Sequence, residues 1–405
     1  LDARAESPEG PQEPGRTQRP QPASTEYPPA PGGVPEAFRR FLADWLFSPL
    51  DGVRLGDWVR LLGRRDLLVP PIYWPRTAFT TGMAVLNSVL SRWDRRRENE
   101  WRTLSVRAPV FVLGHHRSGT THLWNILSRD PRFAFPSVLQ AVFPHSFLTF
   151  EPAIRGLAHR LSIRKRPQDN VAIEPDSPIE EERALCTSTF LSIQMARHFP
   201  SRRDLFTDHL TLRTATAAER QRWMAAFDQF ARKLLVRHGP DRTLLFKSPD
   251  HTAKVALILE LFPDARFVHI HRDPYTVFAS TRKMERRTQP IYAYQRWDDE
   301  DLDAFILWRY RAMYDAYLQD RSRIPKGRLV EISFKQLEEA PLETVASIYN
   351  GLGLELEPRA RESMEDYLLS VSGYRKNVHP ELSEDVLERV AERWRPMFEA
   401  WGYPR

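Results

Sequence analysis

The chain is nearly devoid of cysteine. Of its 405 residues only Cys186 carries a thiol, which excludes an intramolecular disulfide framework and any cysteine-rich zinc site. Long hydrophobic runs are missing too, since no stretch reaches the roughly 18–20 apolar residues of a membrane span. The longest uncharged segment of interest, 77–91, holds Asn87 and several hydroxyls and is expected as a buried helix, with a helix resting on a membrane surface or a partner subunit as the alternative. The opening residues are not expected to act as an apolar leader, and a first residue of Leu leaves the true start open. Charge of one sign is also lacking, because 59 Lys and Arg face 53 Asp and Glu for a net +6. That balance suits an anionic ligand. Basic clusters such as Arg95, Arg96 and Arg97 come without a nucleic-acid-binding motif, so no such partner is expected. The expectation is a soluble, cytoplasmic chain, with room for peripheral association at a membrane surface and for a homo-oligomer.

Aromatic residues are plentiful: 22 Phe, 12 Tyr and 11 Trp. That load implies a real core and, at this length, one large or two ordinary domains. Residues 1–35 stand apart, with nine Pro, four Gly and almost nothing apolar. Such a segment cannot offset its ordering entropy and reads as a disordered tail. From residue 36 to 105 the pattern is helical, as in Phe38, Phe41, Leu42, Trp45 and Leu46 at spacings of three and four. It is broken at Gly63 and at Pro70 and Pro71.

The character changes at Pro109. Residues 109–113 form a short unbroken apolar run, the mark of a strand buried on both faces. Similar runs follow at 243–247 and 266–270, with a weaker one at 328–333. Each precedes a helical pattern, which predicts an α/β fold with a central parallel sheet flanked by helices. The stretch 131–242 reads as helix and loop inserted between two strands.

Between the first strand and its helix lies Gly114-His-His-Arg-Ser-Gly119-Thr120-Thr121. Two glycines with four residues between them, set between strand and helix, make a P-loop-like anion cradle, with backbone N–H groups at the positive end of a helix. A P-loop NTPase carries Lys after the second glycine, whereas this chain has Thr120 there and places its cation, Arg117, inside the loop. Adjacent histidines in a tight loop diverge, and no Cys, Asp or Glu lies nearby, so His115 and His116 are read as packing or hydrogen-bonding groups rather than metal ligands. A second strand, turn and helix runs through His271, Arg272, Asp273 and Pro274, with Ser280 eight residues after Arg272. Asp273 and Pro274 fit the N-cap and first helical position. Arg272 stands at the carboxyl end of a parallel strand, where ligands of open α/β sheets bind.

The Arg-Ser-Gly-Thr-Thr loop followed by the Arg-Asp-Pro turn with its spaced Ser resembles the sulfotransferase superfamily. Its members use 3′-phosphoadenosine 5′-phosphosulfate (PAPS) and release the desulfated nucleotide PAP. The resemblance implies a P-loop NTPase-like sheet across 106–405, with 131–242 as a helical, acceptor-binding insertion. It implies that Arg117, Ser118, Gly119, Thr120 and Thr121 hold the 5′-phosphosulfate, and that Arg272 and Ser280 hold the 3′-phosphate. Lys247, in Lys247-Ser-Pro-Asp-His251, is similar to the family lysine that touches the bridging oxygen. The basic segment around Arg375 and Lys376 resembles a lid over the nucleotide, although a solvated loop between helices explains it as well.

Sulfuryl transfer rests on positioning and on positive charge at the leaving phosphate, which arginine and lysine supply with no metal called for. It also needs a base for the acceptor hydroxyl. Many family members carry a glutamate where this chain reads Phe135-Pro-Ser-Val-Leu-Gln140. The nominees are therefore Glu180, Glu181 and Glu182 jointly, with His251 and His145 behind them. A capping box from Ser177 to Glu180 and simple helix-dipole compensation explain the same glutamates blandly. Trp124, Phe133, Phe135, Phe143 and Phe147 suggest an aromatic wall for an apolar, aromatic or glycan hydroxyl acceptor, and equally suggest core. Two rivals remain. A small-molecule kinase is opposed by Thr120 and by the shortage of a Mg²⁺ carboxylate, Asp273 being committed to its cap. A non-catalytic nucleotide-fold binding protein gains weight from the missing family glutamate.

Overall fold

The computed structural model describes residues 48–161, 176–373 and 382–405. The disordered-tail reading of 1–35, the Phe38–Leu46 pattern and the lid residues Arg375 and Lys376 lie outside the described residues. The core is a five-stranded, all-parallel sheet of β1 (Val110–Leu113), β2 (Phe133–Ala134), β3 (Thr243–Lys247), β4 (Arg266–His271) and β5 (Leu329–Ser333), in the order β2-β3-β1-β4-β5. The four apolar runs all become strands. The two-residue strand β2 falls within 131–242, which is otherwise helix and loop among its described residues.

β1 is apolar at every position because both of its faces are covered. On one side Phe111 stacks on Phe267 with centroids 5.6 Å apart and meets Phe246 at 5.3 Å. On the other, Val110 and Val112 join Leu123, Leu127, Leu245 and Val268. Each such side chain contributes about 1.5–3 kcal/mol on burial. The register pairs Val112 with Lys247 and Leu113 with His269, so the loops after β1, β3 and β4 emerge together at one end of the sheet.

The helices α1 (Leu55–Leu62), α2 (Trp74–Arg96), α3 (Thr120–Leu127), α4 (Glu182–Thr189) and α5 (Pro274–Tyr292) matter most below. The predicted break at Gly63 is the end of α1. The segment 77–91 is helical, as expected, but not buried all round. α2 turns its polar residues Arg76, Thr80, Asn87, Ser91 and Asp94 inward, while Val85, Leu86 and Val89 face out. No helix among the described residues is long and apolar enough to cross a membrane.

Candidate active site

The first loop leaves β1 at Gly114 and enters α3 at Thr120. Its shape demands glycine twice. Gly114 has φ +140° and Gly119 has φ +103°, and a Cβ would run into Ile270 O at the first and the Phe334 ring at the second. Between them Arg117 takes a left-handed φ of +69°, uncommon without glycine and a place where strain accompanies function. Ser118 Oγ donates to His115 O at 2.7 Å and closes the turn. Gly114 N donates to Thr252 Oγ1 at 2.8 Å and His115 N to Tyr314 Oη at 3.0 Å, anchoring the loop from below. The first-turn amides of α3 have no intrahelical acceptor and suit an anion.

The second loop meets the first directly. Asp273 caps α5 as expected, accepting from Thr276 N at 2.7 Å with Pro274 at the first helical position. This turn sets Arg272 outside the end of β4, its guanidinium 4.3 Å over the Phe334 ring and donating to Arg117 O at 3.4 Å. Burial and the neighbouring Arg117 hold the Arg272 pKa below the ordinary value. Arg117 Nε donates to Ser280 Oγ at 2.9 Å. Arg117, Arg272 and Ser280, from two loops 163 positions apart at their Arg117–Ser280 contact, thus form one cationic cluster.

Lys247 ends β3 beside the first loop. Its Nζ lies 2.7 Å from Glu180 Oε1, 3.4 Å from Thr121 Oγ1 and 5.0 Å from the centre of the Trp124 ring. The chain bearing Glu180 is held by a bridge between Ser137 and Pro178, with Val138 N donating to Ser177 O and Ile179 N to Pro136 O. The helix starts later than a capping box from Ser177 to Glu180 would place it: α4 begins at Glu182 with Glu181 before it and no side-chain cap there, and the Glu180 carboxylate pairs with Lys247. Burial opposes charge on Glu180, but Lys247 and His116 outweigh it and keep the carboxyl below its usual range. Glu180 retains 24% of its side-chain exposure.

The neighbouring glutamates have a different setting. Glu181, Glu182, His251 and Lys254 are fully buried. His251 Nδ1 lies 2.9 Å from Glu181 Oε1 and Nε2 3.1 Å from Glu182 Oε2, while Lys254 Nζ lies 3.2 Å from Glu182 Oε1. Glu181 Oε2 also accepts from Lys247 N at 3.1 Å. Burial alone would depress His251, but its two carboxylates carry the pKa up to about 9. His145 lies elsewhere, amid the charges of Arg54, Lys233 and Arg95, and burial drives its pKa well down.

One pair escaped the sequence reading. His116 Nε2 faces Asp250 Oδ1 at 3.6 Å, and Asp250 Oδ2 accepts from Gln194 Nε2 at 3.2 Å. Asp250 is fully buried; burial opposes its charge, but His116 and nearby cations hold its carboxyl well below the ordinary range. The two residues are 134 positions apart, and only the convergence of the β1 and β3 loops joins them. Of the aromatic nominees, Trp124 and Phe135 meet edge to face beside Lys247 with centroids 6.1 Å apart. Phe147 is core, against Phe230, and Phe133 faces Tyr349. No cluster of three His, Cys, Asp or Glu side chains with metal-holding geometry occurs among the described residues.

A parallel sheet whose first loop has the shape of an anion cradle, faced by an Arg–Ser pair from the second, places a cationic site where ligands of open α/β sheets bind. The chain belongs to the sulfotransferase family, whose model matches residues 109–358. It moves a sulfuryl group from PAPS to a hydroxyl acceptor. Among particular relatives, it is 28% identical over 373 residues to the omega-hydroxy-beta-dihydromenaquinone-9 sulfotransferase Stf3 of Mycobacterium tuberculosis and Mycobacterium bovis, covering 89% of this chain and 93% of those. Its fold matches sulfotransferase STF9 of Mycobacterium avium with a TM-score of 0.67 at 18% identity, covering 90% of this chain and 94% of that one. It matches STF1 of Mycobacterium tuberculosis with 0.59 at 20%, covering 88% and 97%.

Proposed function

We propose that PAPS lies across the ends of β1, β3 and β4, and that the direct contact of Arg117 with Ser280 carries this reading. A site that brings one guanidinium to a helix-borne hydroxyl, with Arg272 beside it, suits a ligand with phosphate at both ends. The glycine-dependent cradle with Ser118, Gly119, Thr120 and Thr121 takes the 5′ end, and Arg272 and Ser280 take the 3′-phosphate, Arg117 standing between them. PAPS supplies an activated sulfuryl group on a phosphate leaving group. Lys247 holds positive charge where that phosphate departs, a role in which electrostatic preorganisation dominates.

Glu180 is the base in this reading. It is the one member of the glutamate run left partly exposed, and its carboxylate sits beside Lys247, near the transferring centre. Glu181, Glu182 and His251 are positioning residues, since Glu181 holds the Lys247 backbone, His251 holds Glu181 and Glu182 holds His251. A second reading has its own observation: the His116 imidazole stands 3.6 Å from the buried Asp250 carboxylate, a pairing that suits a general base.

The acceptor, by likeness to relatives named for a hydroxylated menaquinone, is a hydroxyl on an apolar molecule, and the partly exposed Phe135, packed on the core residue Trp124 under Lys247, supports that. A charged nucleotide donor that does not cross bilayers favours the cytoplasm as the compartment. The test of the nucleotide site is calorimetric titration with PAP and with AMP. PAP should bind without added metal, and loss of the 3′-phosphate should weaken binding about tenfold to a hundredfold through loss of charge-assisted bonds. Arg272→Ala should weaken PAP by a similar factor and leave AMP nearly unchanged. Equal losses for both ligands would remove Arg272 from the 3′ site, and preference for Mg-ATP would favour a kinase.

A further inference from the structure

The helix α2 is inside out. At about 100° per residue, Arg76, Thr80, Ala84, Asn87, Ser91 and Asp94 share one arc, and Trp74, Val85, Leu86, Val89 and Trp93 share the opposite one. The first arc is buried and the second is exposed, with Trp74 at 61%, the two valines and Leu86 at 46%, and Trp93 at 48%. Ordinary amphipathic helices do the reverse.

The inversion is fully built. Thr80 Oγ1 donates to Asp51 Oδ1 at 2.7 Å and bonds Tyr294 Oη at 2.8 Å, while Arg76 donates to Ala293 O at 2.7 Å. Asp94 lies 2.7 Å from Lys233 Nζ and accepts from Leu148 N and Thr149 N at 3.2 and 2.9 Å. These bonds fix which face points in, so the apolar face cannot rotate to cover. Every exposed charge on the helix is an arginine: Arg92, Arg95 and Arg96 at its C-terminal end, with Arg96 stacked 4.6 Å over Trp93. The sole carboxylate, Asp94, is buried.

We propose that this face docks on an anionic lipid surface. Tryptophan toward both ends of an apolar stripe suits the headgroup boundary, where the ring is apolar and its N–H stays wet. A helix lying in that plane sinks its apolar face about 5–10 Å, and flanking arginines snorkel to lipid phosphates. A second copy fits less well, because an isologous contact brings the same arginines and no carboxylate from this face to meet them. Leu68 and Ile72, both exposed, precede the helix and extend the apolar surface. The inference stands apart from the nucleotide reading, since it needs neither PAPS nor turnover.

The test is flotation of the full chain with phosphatidylcholine vesicles, with and without about one third phosphatidylglycerol. The protein should float with the anionic vesicles, more weakly with neutral ones, and come off as salt rises. Val89→Asp, on the exposed face, should lower partitioning about tenfold while PAP binding is retained. Replacing Arg92, Arg95 and Arg96 with Gln should remove the anionic preference and keep the residual neutral binding. No flotation of the wild type, or equal flotation of Val89→Asp, would overturn the proposal. So would a dimer that Val89→Asp dissociates in the absence of vesicle binding, or crosslinks placing residues 36–47 over this face without it.

Discussion

Glu180 and Glu182 are two residues apart and share a chemistry, yet the fold gives them opposite environments. Glu180 is partly exposed and pairs with Lys247 across the end of the sheet. Glu182 is sealed beneath the site with His251 and Lys254. The difference arises from the chain on either side. A bridge to the segment after β2 holds 176–180 at the surface of the site, whereas α4 begins at Glu182 and points that carboxylate into the protein. In the proposed reading, what separates a reacting carboxylate from a bracing one is whether solvent and acceptor can reach it.

The sharpest way to break this contrast is Glu182→Ala. Removing one partner strands the Lys254 and His251 charges in a dry site, at a cost of about 3–5 kcal/mol in urea unfolding. A cost as small as that of a surface change would erase the distinction. Glu180→Gln should behave oppositely, with unfolding nearly unchanged, PAP affinity kept and turnover down about 10²–10⁴. Should turnover survive in Glu180→Gln and collapse in His116→Asn, the base is His116 and the contrast moves to the His116–Asp250 pair.

The smallest expected effect is on the pH dependence of stability. His251 titrates at about 9 in the fold, above the roughly 6.5 of an unfolded chain. Its protonated form is favoured by folding, so its contribution is full below pH ~6.5 and fades as pH rises through about 9. Thermal melts from pH 6 to 9.5 should show that decline, and His251→Gln should flatten it. A wild-type melting temperature constant over that span would mean the imidazole is not held charged.

The sheet and the geometry of the loops after β1 and β4 were legible because each is local. A buried strand shows as an apolar run, a cradle as two glycines at fixed spacing, and a cap as Asp before Pro. The expected strands at 109–113, 243–247 and 266–270 lie at β1, β3 and β4 with boundaries shifted by at most a residue or so. β2 was missed because two residues carry no period. Glu180 was named alongside its neighbours, but burial separates the three and burial is not written locally. The helix start was placed too early for the same reason, since α4 begins only at Glu182 while the Glu180 carboxylate pairs with Lys247. Asp250 could not be linked to His116 by any spacing. In 77–91 a mixed apolar and hydroxyl pattern correctly signalled a helix and misled about its faces, because the usual assumption that apolar means inward does not hold when Asp51, Tyr294 and Lys233 wait to bond the polar side.

The strand order also governs how the chain can be made. β1 is the middle strand, and its first partners, Leu245 beside Val110 and then Arg266, emerge about 135 and 156 positions later. At roughly 5–20 residues per second, a ribosome leaves this fully apolar strand unpaired for about 7–30 seconds. Closure of the sheet is thus a late, long-range event of the slow kind. During that interval protection of the nascent β1 segment must come from the helices before it or from a chaperone.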